Sequence, residues 1–273
     1  MSNYIFAILA GVLQGLTEFL PISSSGHLVL FHEFFGFRLA DDLFFDVALH
    51  LATLLALLLF FYKDVIDLIS AFFQSFIKWD LKNNIDQRLS WFLLIGTIPA
   101  AIAGYFFETQ IELMFRGSII VAFMLIAVGL ILYLFDQLSK KINDLDKLGF
   151  WGSILIGIFQ VIALIPGTSR SGITIIAGLS QKLKRDAAAR YSFLLSMPIV
   201  FGAGIKKVLD LNCQAMDLNQ WLIILIGFVA ATVTGFFTIK YFLKFLSSHS
   251  LKVFALYRII LGFVILITLY LVV

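Results

Sequence analysis

The chain is poor in charge and nearly free of cysteine. Only 14% of its 273 residues are Asp, Glu, Lys or Arg. Its one cysteine, Cys213, excludes an internal disulfide and any cysteine-based metal cluster. The net charge of +3 is too small to point to nucleic acid. The first apolar run ends without a small-residue cleavage site, so no separate signal peptide is expected. What remains is apolar: 61% of residues are hydrophobic, 30 are Phe, and the mean hydropathy is +1.00. A soluble core of this size would not need apolar residues all round its helices, so the composition is that of an all-α integral membrane protein.

Five runs reach the length of about 20 residues that crosses roughly 30 Å of hydrocarbon: 43–62, 89–107, 118–135, 221–239 and 254–273. A sixth, 187–205, is less pure. The first run, 4–20, differs: it carries Gly11, Gln14, Gly15 and Glu18 and stops at Pro21. The next, 28–37, is short and carries His32 and Glu33. Such interrupted runs fit a re-entrant pair that enters the bilayer, turns near its middle and leaves on the same side. Irregular backbone at that depth survives only where it is buried in protein or faces a wet cavity, so the turn should line a pocket.

The chain also resembles itself. At an offset of 146, Gly11, Gln14, Ser23, Ser25 and Gly26 fall on Gly157, Gln160, Ser169, Ser171 and Gly172. At an offset of 131, Ile95, Gly96, Ala100, Gly104 and Phe106 fall on Ile226, Gly227, Ala231, Gly235 and Phe237. Two halves follow, 1–135 and 150–273, joined by a polar cytoplasmic linker, 136–149. Each half is expected to be a re-entrant pair, 4–37 or 150–181, followed by three transmembrane helices. Three crossings is an odd number, so the second half should be inserted upside down. The expected fold is thus two inverted-topology repeats with the site where they meet. Taking the crossings in order, fourteen Lys and Arg side chains between Lys63 and Lys252 fall on one side. Four, Arg38, Arg116, Lys206 and Lys207, fall on the other. The rich side is expected in the cytoplasm, and the first re-entrant pair then opens outward.

Ionisable groups at membrane depth read as functional by default. Glu18-Phe19-Leu20-Pro21-Ile22-Ser23-Ser24-Ser25-Gly26-His27 puts an acid, three hydroxyls and an imidazole on one tip. Gln14 and Glu18, four apart, share a helix face. Ser23, Ser24, Ser25 and Gly26 precede a helix expected to start near His27, where hydroxyls and N–H groups can converge on an anion. A simple serine N-cap is the bland alternative. His27 has a pKa suited to proton transfer. His50 sits four residues from Asp46, so those two are expected to neutralise each other. On the second tip Arg170 falls opposite Ser24, and its planar fork suits phosphate. The bland alternative there is an ion pair between Arg170 and Glu18. Arg258 needs a partner that the sequence does not name.

Residues 14–27, Gln-Gly-Leu-Thr-Glu-Phe-Leu-Pro-Ile-Ser-Ser-Ser-Gly-His, and 166–174, Pro-Gly-Thr-Ser-Arg-Ser-Gly-Ile-Thr, resemble the two signature motifs of the bacitracin-resistance-type undecaprenyl-diphosphate phosphatases. The family's first motif has Glu or Gln, three residues, then Glu, so Gln14 leaves this helix one carboxylate. The resemblance implies an interlocked pair of inverted repeats. It also implies hydrolysis of the terminal phosphate of undecaprenyl diphosphate at the outer face of the bacterial inner membrane, and bacitracin resistance. A divalent cation, Mg²⁺ or Ca²⁺, is implied as well; both ions prefer oxygen ligands, which Glu18 and Gln14 could offer. A homodimer is left open.

On this reading Ser24 is the nucleophile, with His27 or Glu18 taking its proton, or a water attacks directly with the same residues as base. Arg170 stabilises the transferring phosphate, and Ser169, Ser171 and Thr174 hold it with Ser23, Ser25 and Gly26. Two rivals stand beside it. One is a lipid-phosphate flippase using the same anion clamp. The other is an acid-phosphatase-like lipid phosphatase, which needs a second histidine after its Ser-Arg motif; here the first one after Arg170 is His249.

Overall fold

A computed structural model describes residues 3–36, 42–115, 117–209 and 217–272; Arg38, Arg116 and Cys213 lie outside them. The described residues form helices α1 (Asn3–Thr17), α2 (Ser24–Phe35), α3 (Asp42–Phe60), α4 (Tyr62–Ser75), α5 (Ile85–Phe115), α6 (Ser118–Leu138), α7 (Phe150–Ile162), α8 (Arg170–Ser180), α9 (Arg185–Leu209), α10 (Leu218–Leu246) and α11 (Lys252–Val272), with a short 3₁₀ turn at Leu145–Lys147. Five of them, α5, α6, α9, α10 and α11, are long and apolar enough to cross a membrane. Helices α3 and α4 pass the same test only as a pair, broken by a bend of 83°, which brings the crossings to as many as six. The protein is therefore an all-helical, multi-pass membrane protein. Helix α4 was not expected from the sequence. It exposes Ile66, Ile69 and Phe73 while burying Leu68 and Ala71.

Helices α1, α2, α7 and α8 are 11 to 15 residues long. At 1.5 Å per residue they reach roughly 17–23 Å, short of the bilayer core. Each pair turns through an irregular stretch, 18–23 and 163–169, and the two turns share one geometry. Ser23 (φ 77°) and Ser169 (φ 71°) both take the sparsely populated positive-φ region. Each caps its helix by accepting a hydrogen bond three residues on, from Gly26 N at 3.3 Å and from Gly172 N at 3.1 Å. A non-glycine residue held there costs on the order of 1–3 kcal/mol, and such strain clusters at functional sites.

The packing is reciprocal. Helix α1 of the first half lies against α10 of the second, and α7 of the second lies against α5 of the first. Both contacts are backbone-close: a methyl group on Gly11 would overlap the carbonyl of Gly227, and one on Gly157 the carbonyl of Gly96. These four glycines are partners at the two sequence offsets, so the halves interlock through equivalent points.

The tips are stapled to each other inside this frame. Ser171 Oγ donates to Leu20 O at 3.1 Å. Phe19, fully buried, packs edge-to-face on Phe193 of α9 with centroids 5.3 Å apart. Arg258 of α11 is fully buried and donates to five carbonyls. Pro21 O (3.0 Å) belongs to the first tip, Gly167 O (2.9 Å) and Thr168 O (2.8 Å) to the second, and Met124 O and Leu125 O to α6. The partner that the sequence could not name is main chain.

Candidate active site

Glu18 is the centre of the polar network between the tips. Its Oε1 accepts from Arg170 Nη2 at 2.6 Å, and its Oε2 accepts from Ser24 Oγ at 2.6 Å. Gln14 Nε2 donates to the same Oε2 at 3.0 Å and lies 2.9 Å from His50 Nδ1, which is itself 3.3 Å from Glu18. Four segments thus converge on one carboxylate: α1 with its turn, the start of α2, the middle of α3 and the start of α8. Arg170 Nη1 also donates to Ser192 O at 3.3 Å, which fixes the guanidinium plane. The Arg170–Glu18 ion pair offered as the bland alternative is present, and it joins the two halves of the chain.

A cavity of about 370 Å³ opens onto this network. Glu18, Ser24, Ser25, His50, Gln160, Ser169 and Arg170 provide its polar wall, and Val47, Ala100, Ile111, Leu164, Ile199, Val200 and Ala203 its apolar one. The contributions come from the first half of α3 and the second halves of α5 and α9, so the cavity faces away from the Lys- and Arg-rich helix ends. A larger cleft of about 470 Å³ lies at the other face, lined by Asp64, Asp67, Asp86, Asp144, Asp146 and Asp186, and its charge disfavours phosphate.

The expected site residues divide into two groups. Glu18, Ser24, Ser25, Ser169 and Arg170 reach the cavity. Ser23, Gly26, Ser171 and Thr174 build the tips: Ser23 and Gly26 make the cap, Ser171 holds Leu20 O, and Thr174 Oγ1 donates to Arg170 O at 2.7 Å and bonds Ser192 Oγ at 2.6 Å. Helix α2 starts at Ser24 rather than near His27, because Ser23 alone takes the cap. Ser24 and Ser25 are left over for other work.

His27 points elsewhere. Its Nδ1 lies 2.7 Å from Ser23 O and its Nε2 2.7 Å from Tyr257 OH, with the two rings stacked. Both nitrogens are occupied away from Ser24, so geometry favours Glu18 as the group that takes the serine proton. His50 was expected to pair with Asp46, yet Asp46 bonds His32 Nε2 at 3.0 Å. His50 instead belongs to the site. Its spacing from Asp46 hid this, and the one usable signal was an imidazole inside a long apolar run.

The chain is similar to known proteins over nearly its whole length. Residues 7–264 match the family model described as bacitracin resistance protein BacA. The undecaprenyl-diphosphatase of Rubrobacter xylanophilus is 42% identical over 96% of this chain and 97% of its own length. The undecaprenyl-diphosphatases of Halothermothrix orenii (44%, over 95% of this chain and 96% of its own) and Trichlorobacter lovleyi (43%, over 95% of each) are similarly close.

Proposed function

The chain belongs to the bacitracin resistance protein BacA family, and from that membership and its cavity we infer that it hydrolyses undecaprenyl diphosphate to undecaprenyl phosphate and inorganic phosphate. This recycles a lipid carrier for cell-wall synthesis and gives resistance to bacitracin. The observation that carries the reading is Glu18 holding the Ser24 hydroxyl on one oxygen and the Arg170 guanidinium on the other. A flippase needs an anion clamp, but it has no use for a hydroxyl poised on a carboxylate.

The diphosphate head enters the cavity, and the prenyl tail lies along its apolar wall toward lipid. As the terminal phosphate arrives, Arg170 turns its donors from Glu18 to the phosphate oxygens, and Glu18 is released to accept the Ser24 proton. Ser24 Oγ forms a bond to the terminal phosphorus while the bond to the bridging oxygen breaks, and undecaprenyl phosphate leaves. Glu18 passes the Ser24 proton on as undecaprenyl phosphate departs, so it is a carboxylate again. Water then attacks the phosphoserine and gives a proton to Glu18. The bond from phosphorus to Ser24 Oγ breaks, and Glu18 returns that proton to Ser24 as phosphate leaves. His50, through Gln14 and Glu18, holds the carboxylate in place. Each of these side chains comes from a single copy of the chain.

A divalent cation belongs to this proposal as a companion of the substrate. Glu18 and the buried Gln14 Oε1, which has no hydrogen-bond partner, are the oxygens that would hold it. Mg²⁺ is commonly held by one or two carboxylates plus substrate phosphates, and when bound it would offset charge on the leaving phosphate.

We read the halves 1–135 and 150–273 as inverted repeats about the 136–149 linker, supported by the reciprocal glycine contacts and the matched serine caps. With the Lys- and Arg-rich ends in the cytoplasm of a bacterial inner membrane, the cavity opens to the outer face. Phosphate release from undecaprenyl diphosphate by the purified protein tests the assignment, and no release above a Ser24→Ala, Arg170→Ala double variant would overturn it.

A further inference from the structure

The cavity wall carries a polar side chain that the scheme above does not use and that has no hydrogen-bond partner of its own. Gln160, near the end of α7, is 2% exposed, lines the same wall as Arg170 and Ser169, and has no hydrogen-bond partner at either Oε1 or Nε2. A buried amide left unpaired is a cost that an apolar side chain of similar volume would avoid. Whichever way the amide is turned, it leaves a donor and an acceptor unpaired in a residue of the cavity wall.

The repeat explains why the group is free. Its counterpart Gln14 spends Nε2 on Glu18 and on His50. In the second half Leu164 stands where Glu18 stands in the first, so Gln160 has no carboxylate one turn away. Its neighbours on the wall do not replace it. Arg170 has only donors, and Ser169 Oγ is occupied by Gly172 N and Ser171 Oγ. An acceptor for the Gln160 N–H therefore has to arrive with the ligand.

We propose that Gln160 is a substrate-binding residue whose side-chain N–H donates to a nonbridging oxygen of the diphosphate beside Arg170. The inference deepens the phosphatase reading and rests on it. A neutral donor there adds grip on a second group of phosphate oxygens without another charge for Glu18 to balance.

The test uses the purified full-length protein and two variants, with kinetics on undecaprenyl diphosphate and thermal unfolding with and without inorganic pyrophosphate. Gln160→Leu is expected to unfold no earlier than wild type without ligand, to lose most of the stabilisation by pyrophosphate, and to lose about 10- to 100-fold in kcat/KM, the range for a hydrogen bond to a charged group. Gln160→Glu, nearly the same shape, is expected to lose more, because a carboxylate faces the phosphate. Wild-type kcat/KM in both variants overturns the proposal. So does a Gln160→Leu protein that unfolds earlier yet keeps the full pyrophosphate shift, which marks a structural amide. If wild type releases no phosphate but a pyrophosphate shift depends on Gln160, the phosphatase reading falls and the anion ligand stands.

Discussion

Glu18 and Arg170 lie 152 residues apart in sequence and meet at 2.6 Å, one from each half of the chain. Neither side chain is more than 14% exposed. Breaking one member of such a buried pair strands the other, which typically costs about 3–5 kcal/mol. The pair therefore ties the stability of the inter-tip contact to the chemistry that takes place there.

Glu18→Gln removes the proposed proton acceptor and leaves Arg170 uncompensated. Phosphate release is expected to fall by about 10²- to 10⁴-fold, the usual contribution of a positioned base. The melting temperature in detergent should fall with it. Loss of activity with unchanged melting would mean that the ion pair does not hold the tips together.

His27 is placed to act through the tip rather than on the serine. Tyr257→Phe removes its Nε2 partner, so His27→Ala and Tyr257→Phe should not add. A double-mutant cycle on kcat should show coupling of about 0.5–3 kcal/mol. Additive losses would return His27 to an independent role, such as proton transfer.

Removal of divalent cations by a chelator should abolish phosphate release, and Mg²⁺ should restore it. Gln14→Glu supplies a second carboxylate one turn from Glu18 and should lower the Mg²⁺ concentration giving half-maximal rate. An unchanged Mg²⁺ dependence would place the cation away from Gln14 and Glu18.

Gly157→Ala puts a methyl group into the carbonyl of Gly96, at the contact between α7 and α5. Thermal unfolding should show a loss of about 1–3 kcal/mol, the usual cost of overpacking. Gly11→Ala, at the equivalent contact with Gly227, should behave alike. A large effect at one glycine alone would argue against reciprocal packing.

The crossings and the two short helix pairs were legible because hydropathy and length are properties of contiguous sequence. Gly11, Gly96, Gly157 and Gly227 were legible through self-comparison. Partners across helices were less so. His50 pairs with Asp46 by spacing but with Gln14 and Glu18 in space, because the third-helix imidazole faces the first tip while Asp46 is taken by His32. Arg258 bonds main-chain carbonyls, which no residue pattern can announce. Ser171 and Thr174 belong to the signature motif, yet they turn inward, because a tip at membrane depth must satisfy its own backbone before it can present a ligand. Helix α4 escaped notice since its run mixes Asp64 and Asp67 with apolar residues.

The claim that most of this account rests on is that Ser24, activated by Glu18, attacks the terminal phosphorus. Rapid-quench mass spectrometry of the wild-type protein mixed with undecaprenyl diphosphate measures it directly. A transient phosphate on the peptide carrying Ser24, absent in Glu18→Gln, is the predicted result. Undiminished phosphate release by Ser24→Ala, with no phosphoserine trapped in the wild type, would contradict it.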